Sequence, residues 1–214
     1  MRRQPFKSSI SLHVREHSSI YLFMTVLFLM GVVFGAIVVN SLNITQKQDL
    51  FYYLNRFFGQ VSSGEFASAH EMFKQSYFHN MKYVGLMWVL GISIIGLPVI
   101  LVLLFLKGVV VGFTVGFLVN QMKWHGFLLS FVSIMPQNLI IIPALIIMAV
   151  LSVTVSLKMV RNQFMKRTME PVFPMILRYT VVMIIISVCL LGASFIEAYL
   201  SPSFMKEVIS MYKK

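Results

Sequence analysis

Residues 127–157 run for 31 positions without one Asp, Glu, Lys, Arg or His. Four further stretches, 20–39, 83–106, 108–122 and 175–199, contain only Arg178 and Glu197 as charged side chains. About 20 apolar helical residues cross the roughly 30 Å of bilayer hydrocarbon, and backbone in lipid must satisfy its own hydrogen bonds, so helices are the conformation such stretches can adopt. The whole chain agrees: 58% of its residues are hydrophobic, 12% are charged and the mean hydropathy is +0.83. A soluble domain is about half apolar and a quarter charged. The expected fold is an all-α polytopic membrane bundle, one membrane domain over residues 1–214.

Two stretches have the wrong length. Residues 108–122 would reach only about 22 Å as a helix and residues 127–157 about 46 Å. Charge decides how to divide them. Lys158, Arg161, Lys166, Arg167 and Arg178 form the densest basic segment, and Arg2, Arg3, Lys7 and Arg15 precede the first run. Both should be cytoplasmic by the positive-inside rule, so an even number of crossings separates them. The reading is about five transmembrane helices, one of them broken, with the N-terminus inside and the C-terminus outside. It gives a cytoplasmic segment 1–19, a first span 20–42, an external amphipathic loop 43–82, second to fourth spans within 83–157, a basic cytoplasmic loop 158–174, a fifth span 175–200 and an external tail 201–214. Lys107 and Gly108 are then a tight inner turn, and Lys123, Trp124 and His125 mark an outer boundary. The alternative is a re-entrant hairpin over residues 108–135, which would put the basic segment outside.

The net charge of +11 is spread between apolar runs. It reads as a topology signal facing anionic lipid headgroups, with no nucleic-acid partner. Residues 20–39 are too long for the apolar part of a cleaved signal and read as a retained span. The single cysteine, Cys189, excludes an intrachain disulfide.

Within the apolar runs, Gly108, Gly112 and Gly116 recur every four residues, and Gly31 and Gly35 repeat the spacing, so each set lies on one helix face that another backbone can approach closely. Packing inside one subunit is the first reading and a homo-oligomer the second. Pro98 should kink the second span. Pro136 divides the long run into a short outer arm and a main helix that also contains Pro143, and Gln137 and Asn138 beside the break should face the bundle interior as hydrogen-bonding glue. Transport or intramembrane catalysis needs ionisable groups at depth, whereas Lys107, Arg178 and Glu197 fall near expected helix ends. The five histidines show no metal-ligand spacing, and no paired-carboxylate, nucleophile or phosphate-loop signature is present. Neither an enzyme nor a metal or other cofactor is expected.

The external loop holds the most exposed chemistry. At helical spacing Leu50, Tyr53, Leu54, Phe57 and Phe58 share a face. A second amphipathic segment, residues 65–78, carries Phe66, Ala69, Phe73 and Tyr77. Such faces lie in the headgroup layer or dock a partner. The tail from Ser201 and Pro202 has the signals of a new helix.

These residues resemble a known family. The stretch TVLFLMGVVFGAIVVNSLNITQKQDLFYYLNRFFGQVSSGEF, the segment MPQNLIIIPALIIMAV and the final basic-then-apolar part look like the stage II sporulation protein M family of endospore-forming bacteria. The resemblance implies a non-enzymatic membrane anchor of engulfment, at the sporulation septum and the engulfing mother-cell membrane. Its implied partners are stage II sporulation proteins D and P, two cell-wall hydrolases that it localises for peptidoglycan thinning. Leu50, Phe51, Tyr52, Tyr53, Phe57 and Phe58 are the candidate docking residues. A small transporter or channel component is the alternative. A wider membrane family shares a motif of proline, histidine, glycine, two variable residues, glutamate, one variable residue and proline. Pro136 and Pro143 keep its spacing, while Gln137, Asn138 and Ile141 replace the histidine, glycine and glutamate.

Overall fold

The computed structural model describes residues 17–63, 68–93, 95–164 and 172–205. They form six α-helices: α1 (Ser18–Ser41), α2 (Ile44–Ser63), α3 (Ala69–Ile92), α4 (Gly96–Ser133), α5 (Met135–Phe164) and α6 (Val172–Phe195). A π-helical turn, Ile196–Leu200, continues α6, and helix runs on to Met205. Four segments, Ser18–Ser41, Gly96–Ser133, Met135–Arg161 and Phe173–Met205, are long and apolar enough to cross a bilayer. The chain is an all-α, multi-pass membrane protein.

Local chemistry explains the boundaries. The Asn43 amide donates to Gln46 Oε1 at 3.0 Å as α2 begins. The Ser68 hydroxyl accepts the Glu71 amide and the Glu71 carboxylate accepts the Ser68 amide, both at 3.2 Å. This reciprocal capping box starts α3. Helix α3 then carries the second amphipathic segment directly into apolar residues and stops at Ser93, whose backbone is extended.

Three sequence expectations therefore fail. Residues 83–106 are not one span: the chain breaks between α3 and α4, where a Cβ on Gly96 would stand 1.9 Å from the Leu90 carbonyl oxygen. Only glycine allows that approach. Pro98 consequently lies in the first turn of α4, where its missing N–H costs no hydrogen bond, and no mid-span kink arises. Lys107 and Gly108 are not a turn either but lie well inside α4. The short run 108–122 is the second half of a crossing that starts at Gly96. That crossing ends at Lys123, whose φ of 49° and ψ of −121° break the helix. A Cβ on Gly126 would lie 1.9 Å from the Leu118 carbonyl oxygen, so the chain reverses tightly there. Residues 124–133 form the outer arm leading into α5.

The packing of α1 on α4 fixes direction. Gly31 meets Phe105 and Gly108, Gly35 meets Val109 and Phe113, Gly112 meets Val32, and Gly116 meets Ala36. Asn40 and Asn120 join side chains at 3.3 Å beyond them. Both residue numbers rise together, so α1 and α4 run parallel. Two parallel crossings require the chain to return between them, and α3 is the helix available. Its contacts agree: Ser156 donates to the Ser93 carbonyl oxygen at 3.0 Å, while Ser187 and Met81 pair at 3.2 Å. Helix α3 thus ends level with the inner end of α5, and Ser76 sits beside Ser194 of α6 at the other end. Helix α3 is therefore the return path between α1 and α4, while α1, α4, α5 and α6 are the helices whose length and apolarity suit a crossing. Met87, Ile100, Leu104, Leu145, Met148 and Leu190 fill the shared core, each 0–1% exposed.

Candidate functional site

Two neighbouring features concentrate polar and aromatic chemistry. The first is a platform at the end of the bundle away from the basic Lys158 and Arg161, which the positive-inside rule makes the outer end. Leu54 of α2 packs with Ile134 against a cluster of Leu118, Met122, Leu129 and Met205, so α2 touches the α4 hairpin and the end of α6 through this side chain. Tyr52 and Tyr53 point away, each 65% exposed, with ring centroids 5.9 Å apart in an edge-on arrangement. Leu50 and Phe51 are half-buried. The structure separates Tyr53 from Leu54, which the helical spacing had put on one face: Leu54 turns inward and Tyr53 outward. The side chains of Phe57 and Phe58, together with Phe66, lie outside the described residues. Trp124, Phe127 and Phe131 extend an aromatic row along the outer arm, with centroids 5.5 and 6.3 Å apart. Ser201 and Pro202 do not start a helix, because the π turn carries α6 through them to the buried Met205.

Beneath the platform lies a buried polar chain that the sequence reading missed. Lys107, 8% exposed, donates to Asn80 Oδ1 at 3.1 Å and lies 5.1 Å from the centroid of the Tyr83 ring. Asn80 Nδ2 donates to the Ser76 carbonyl oxygen at 3.1 Å. The Ser76 hydroxyl bonds the Glu197 carboxylate and stands 3.2 Å from Ser194 Oγ. Three helices meet in this chain: α3 gives Ser76, Asn80 and Tyr83, α4 gives Lys107, and α6 with its π turn gives Ser194 and Glu197. Lys107 adjoins Gly108, which touches Gly31 midway along α1, so its charge enters the bundle near mid-depth. Glu197 is the acidic side chain at the other end of this chain of bonds. A lysine there is sustained by hydrogen bonding and the aromatic face together.

Hydropathy puts Lys107 and Glu197 at helix ends, because it reads the lone charge at Lys107 as a turn and places the end of the last span close after Glu197. The signal that could have found the cluster is the S-x-x-E box at Ser68 and Glu71. It starts α3 early enough to bring Asn80 to the level of Lys107. The π turn adds a residue to one turn of α6, a device that recurs at functional positions, and it is here that Glu197 faces Ser76.

The remaining predicted residues fall as follows. The five glycines Gly31, Gly35, Gly108, Gly112 and Gly116 lie at the α1–α4 contact within the one chain. The helix break falls at Ile134, with Pro136 in the first turn of α5 and Pro143 inside it. Asn138 Nδ2 donates to the Ile134 carbonyl oxygen at 2.8 Å, back across the break within the same stretch of chain. Gln137 Oε1 is buried without a hydrogen-bond partner. A second polar knot ties the inner half: Tyr179 Oη lies 2.7 Å from Ser152 Oγ and donates toward the Met87 carbonyl oxygen at 3.1 Å. Among the described residues no group of three His, Cys, Asp or Glu side chains is placed to hold a metal ion.

No curated protein and no solved structure matches this chain. The family model described as stage II sporulation protein M matches residues 24–202, from within α1 to just past the π turn. The all-α membrane bundle and this match over most of its length agree, and the chain belongs to the stage II sporulation protein M family, membrane proteins of sporulation.

Proposed function

We propose that this chain is a non-enzymatic membrane scaffold of engulfment that recruits stage II sporulation proteins D and P at the septum and holds them where peptidoglycan is thinned. The observation that carries this reading is the pair Tyr52 and Tyr53, 65% exposed on a helix that touches the end of the bundle through Leu54. Rigid aromatic side chains give contact area at low entropic cost, which is why they dominate binding hot spots. The bundle contributes position and α2 contributes contact. With Lys158 and Arg161 cytoplasmic, the platform is extracytoplasmic, the side on which wall hydrolases work.

The test is co-purification from sporulating cells. Tyr52→Ala with Tyr53→Ala should lose both hydrolases and their septal localisation while the scaffold itself remains in the membrane. Unchanged recovery of both would reject the docking surface.

A transporter or channel component is the second reading, and the buried Lys107 near mid-depth is what favours it. In the scaffold reading the same lysine is a lock between α3 and α4. Asn138→Cys in a Cys189→Ser background separates the two: labelling by small aqueous thiol reagents from both sides supports transport, and protection from both supports the lock.

A further inference from the structure

Helix α3 presents a polar stripe at membrane depth. Glu71, Lys74, Gln75, Phe78, His79 and Lys82 line one shallow groove along it, and Glu71, Lys74, Gln75, His79 and Lys82 are all exposed. The parallel packing of α1 and α4 obliges α3 to cross, and Asn80 is bonded to Lys107 near mid-depth. Lys82 is one half-turn further inward and lies roughly 16 Å along the helix from Ser93. The stripe therefore extends from about the outer boundary to the middle of the hydrocarbon. It is also why α3 is not among the segments apolar enough to cross unaided. Lipid provides no partners for an amide, an imidazole and two ammonium groups, and side chains of this kind face protein or trapped water.

We propose that a second copy of this chain covers the stripe, the two α3 helices running side by side about a two-fold axis along the membrane normal. All copies insert in one direction, so the axis must lie that way and the helices must be parallel. The stripe is self-complementary in that geometry. Glu71 and Lys74 are one helical turn apart on one face, so each Glu71 meets the second copy's Lys74 and each Lys74 the second copy's Glu71, as a two-fold interface requires. Gln75 can both donate and accept, and pairs with itself. His79 and Lys82 lie deeper. Side chains lean toward the N-terminal end of their helix, which in α3 is the outer end, so both ammonium groups reach up into a cleft open to outside water. The glycine faces cannot serve this purpose, because α1 and α4 already use them on each other.

The experiment uses the full chain with Cys189→Ser in nanodiscs. Gln75→Cys should give a disulfide-linked dimer on mild oxidation, whereas Val33→Cys, on the exposed face of α1, should give none. Adding Lys74→Glu should lower the Gln75 crosslink about tenfold, and adding Glu71→Lys as well should restore it, with circular dichroism confirming that α3 remains helical without its Glu71 cap. Absence of the Gln75 dimer, equal crosslinking at Val33, indifference to Lys74→Glu, or Gln75 crosslinks formed only to a different protein in sporulating cells would each overturn the proposal.

Discussion

Lys107 of α4 donates to Asn80 of α3 across 3.1 Å, in a chain of contacts that continues through Ser76 to Glu197. Opposite charges at its two ends are shared among three helices. Removing the acceptor of a buried hydroxyl costs about 1–3 kcal/mol. Glu197→Gln, which weakens the bond from the buried Ser76 hydroxyl, should therefore destabilise the bundle within that range. Lys107→Met combined with Glu197→Gln should cost less than the two single changes added together, with a coupling of about 0.5–3 kcal/mol. Thermal unfolding of the four proteins in one detergent measures it, and strict additivity would show that the two residues do not interact.

The α1–α4 seam makes a sharper steric prediction. A Cβ on Gly112 would stand 1.9 Å from the Val32 carbonyl oxygen, whereas one on Gly192 would meet nothing within 4 Å. Gly112→Ala should force the helices apart at a cost of about 1–3 kcal/mol. Gly192→Ala should be neutral or gain up to about 1 kcal/mol from helix propensity. The difference between their melting temperatures in micelles is the readout.

How much of this could be read from the sequence depends on which physical signal carried it. The all-helical membrane class followed from uncharged runs such as residues 127–157, and the break near Pro136 from that run's excess length; neither needs tertiary information. Gly31, Gly35, Gly108, Gly112 and Gly116 announced close-packed faces, though only the coordinates join the two sets. Hydropathy does not give the course of the chain between residues 83 and 122, because it marks apolar stretches and not where helices stop. Lys107 looked like a turn because it is the only charge in that stretch. The true turn at Ser93 to Gly96 carries no charge and depends on Gly96 approaching Leu90. A buried lysine is invisible to hydropathy until its partners, Asn80 and Tyr83, are placed on a neighbouring helix.

The capping box that starts α3 can be weighed alone. Ser68→Ala removes the hydroxyl that accepts the Glu71 amide and should cost about 1 kcal/mol. Faster amide exchange should be confined to the first turn of α3, since the buried contacts of Asn80 and Val84 hold the rest. Exchange spreading through the whole of α3 would show that the box holds the helix in place as well as starting it.

Tyr179→Phe tests the inner knot. The phenol reaches Ser152 and the Met87 carbonyl oxygen, and deleting it leaves buried polar groups without that partner, at about 1–3 kcal/mol. Ser152 retains its bond to the Met148 carbonyl oxygen at 2.7 Å, so the loss should fall toward the lower end. A denaturant series at constant slope measures it, and no change in midpoint would contradict the assignment.

The scaffold reading stands or falls on what touches α2. A photocrosslinking amino acid at position 52, beside Leu54 and facing outward, should capture stage II sporulation protein D or P in sporulating cells, while the same group at Val110, exposed on α4, should capture neither. Capture of neither hydrolase from position 52, with the protein correctly inserted and expressed, would contradict the claim that this aromatic helix is where the partners dock.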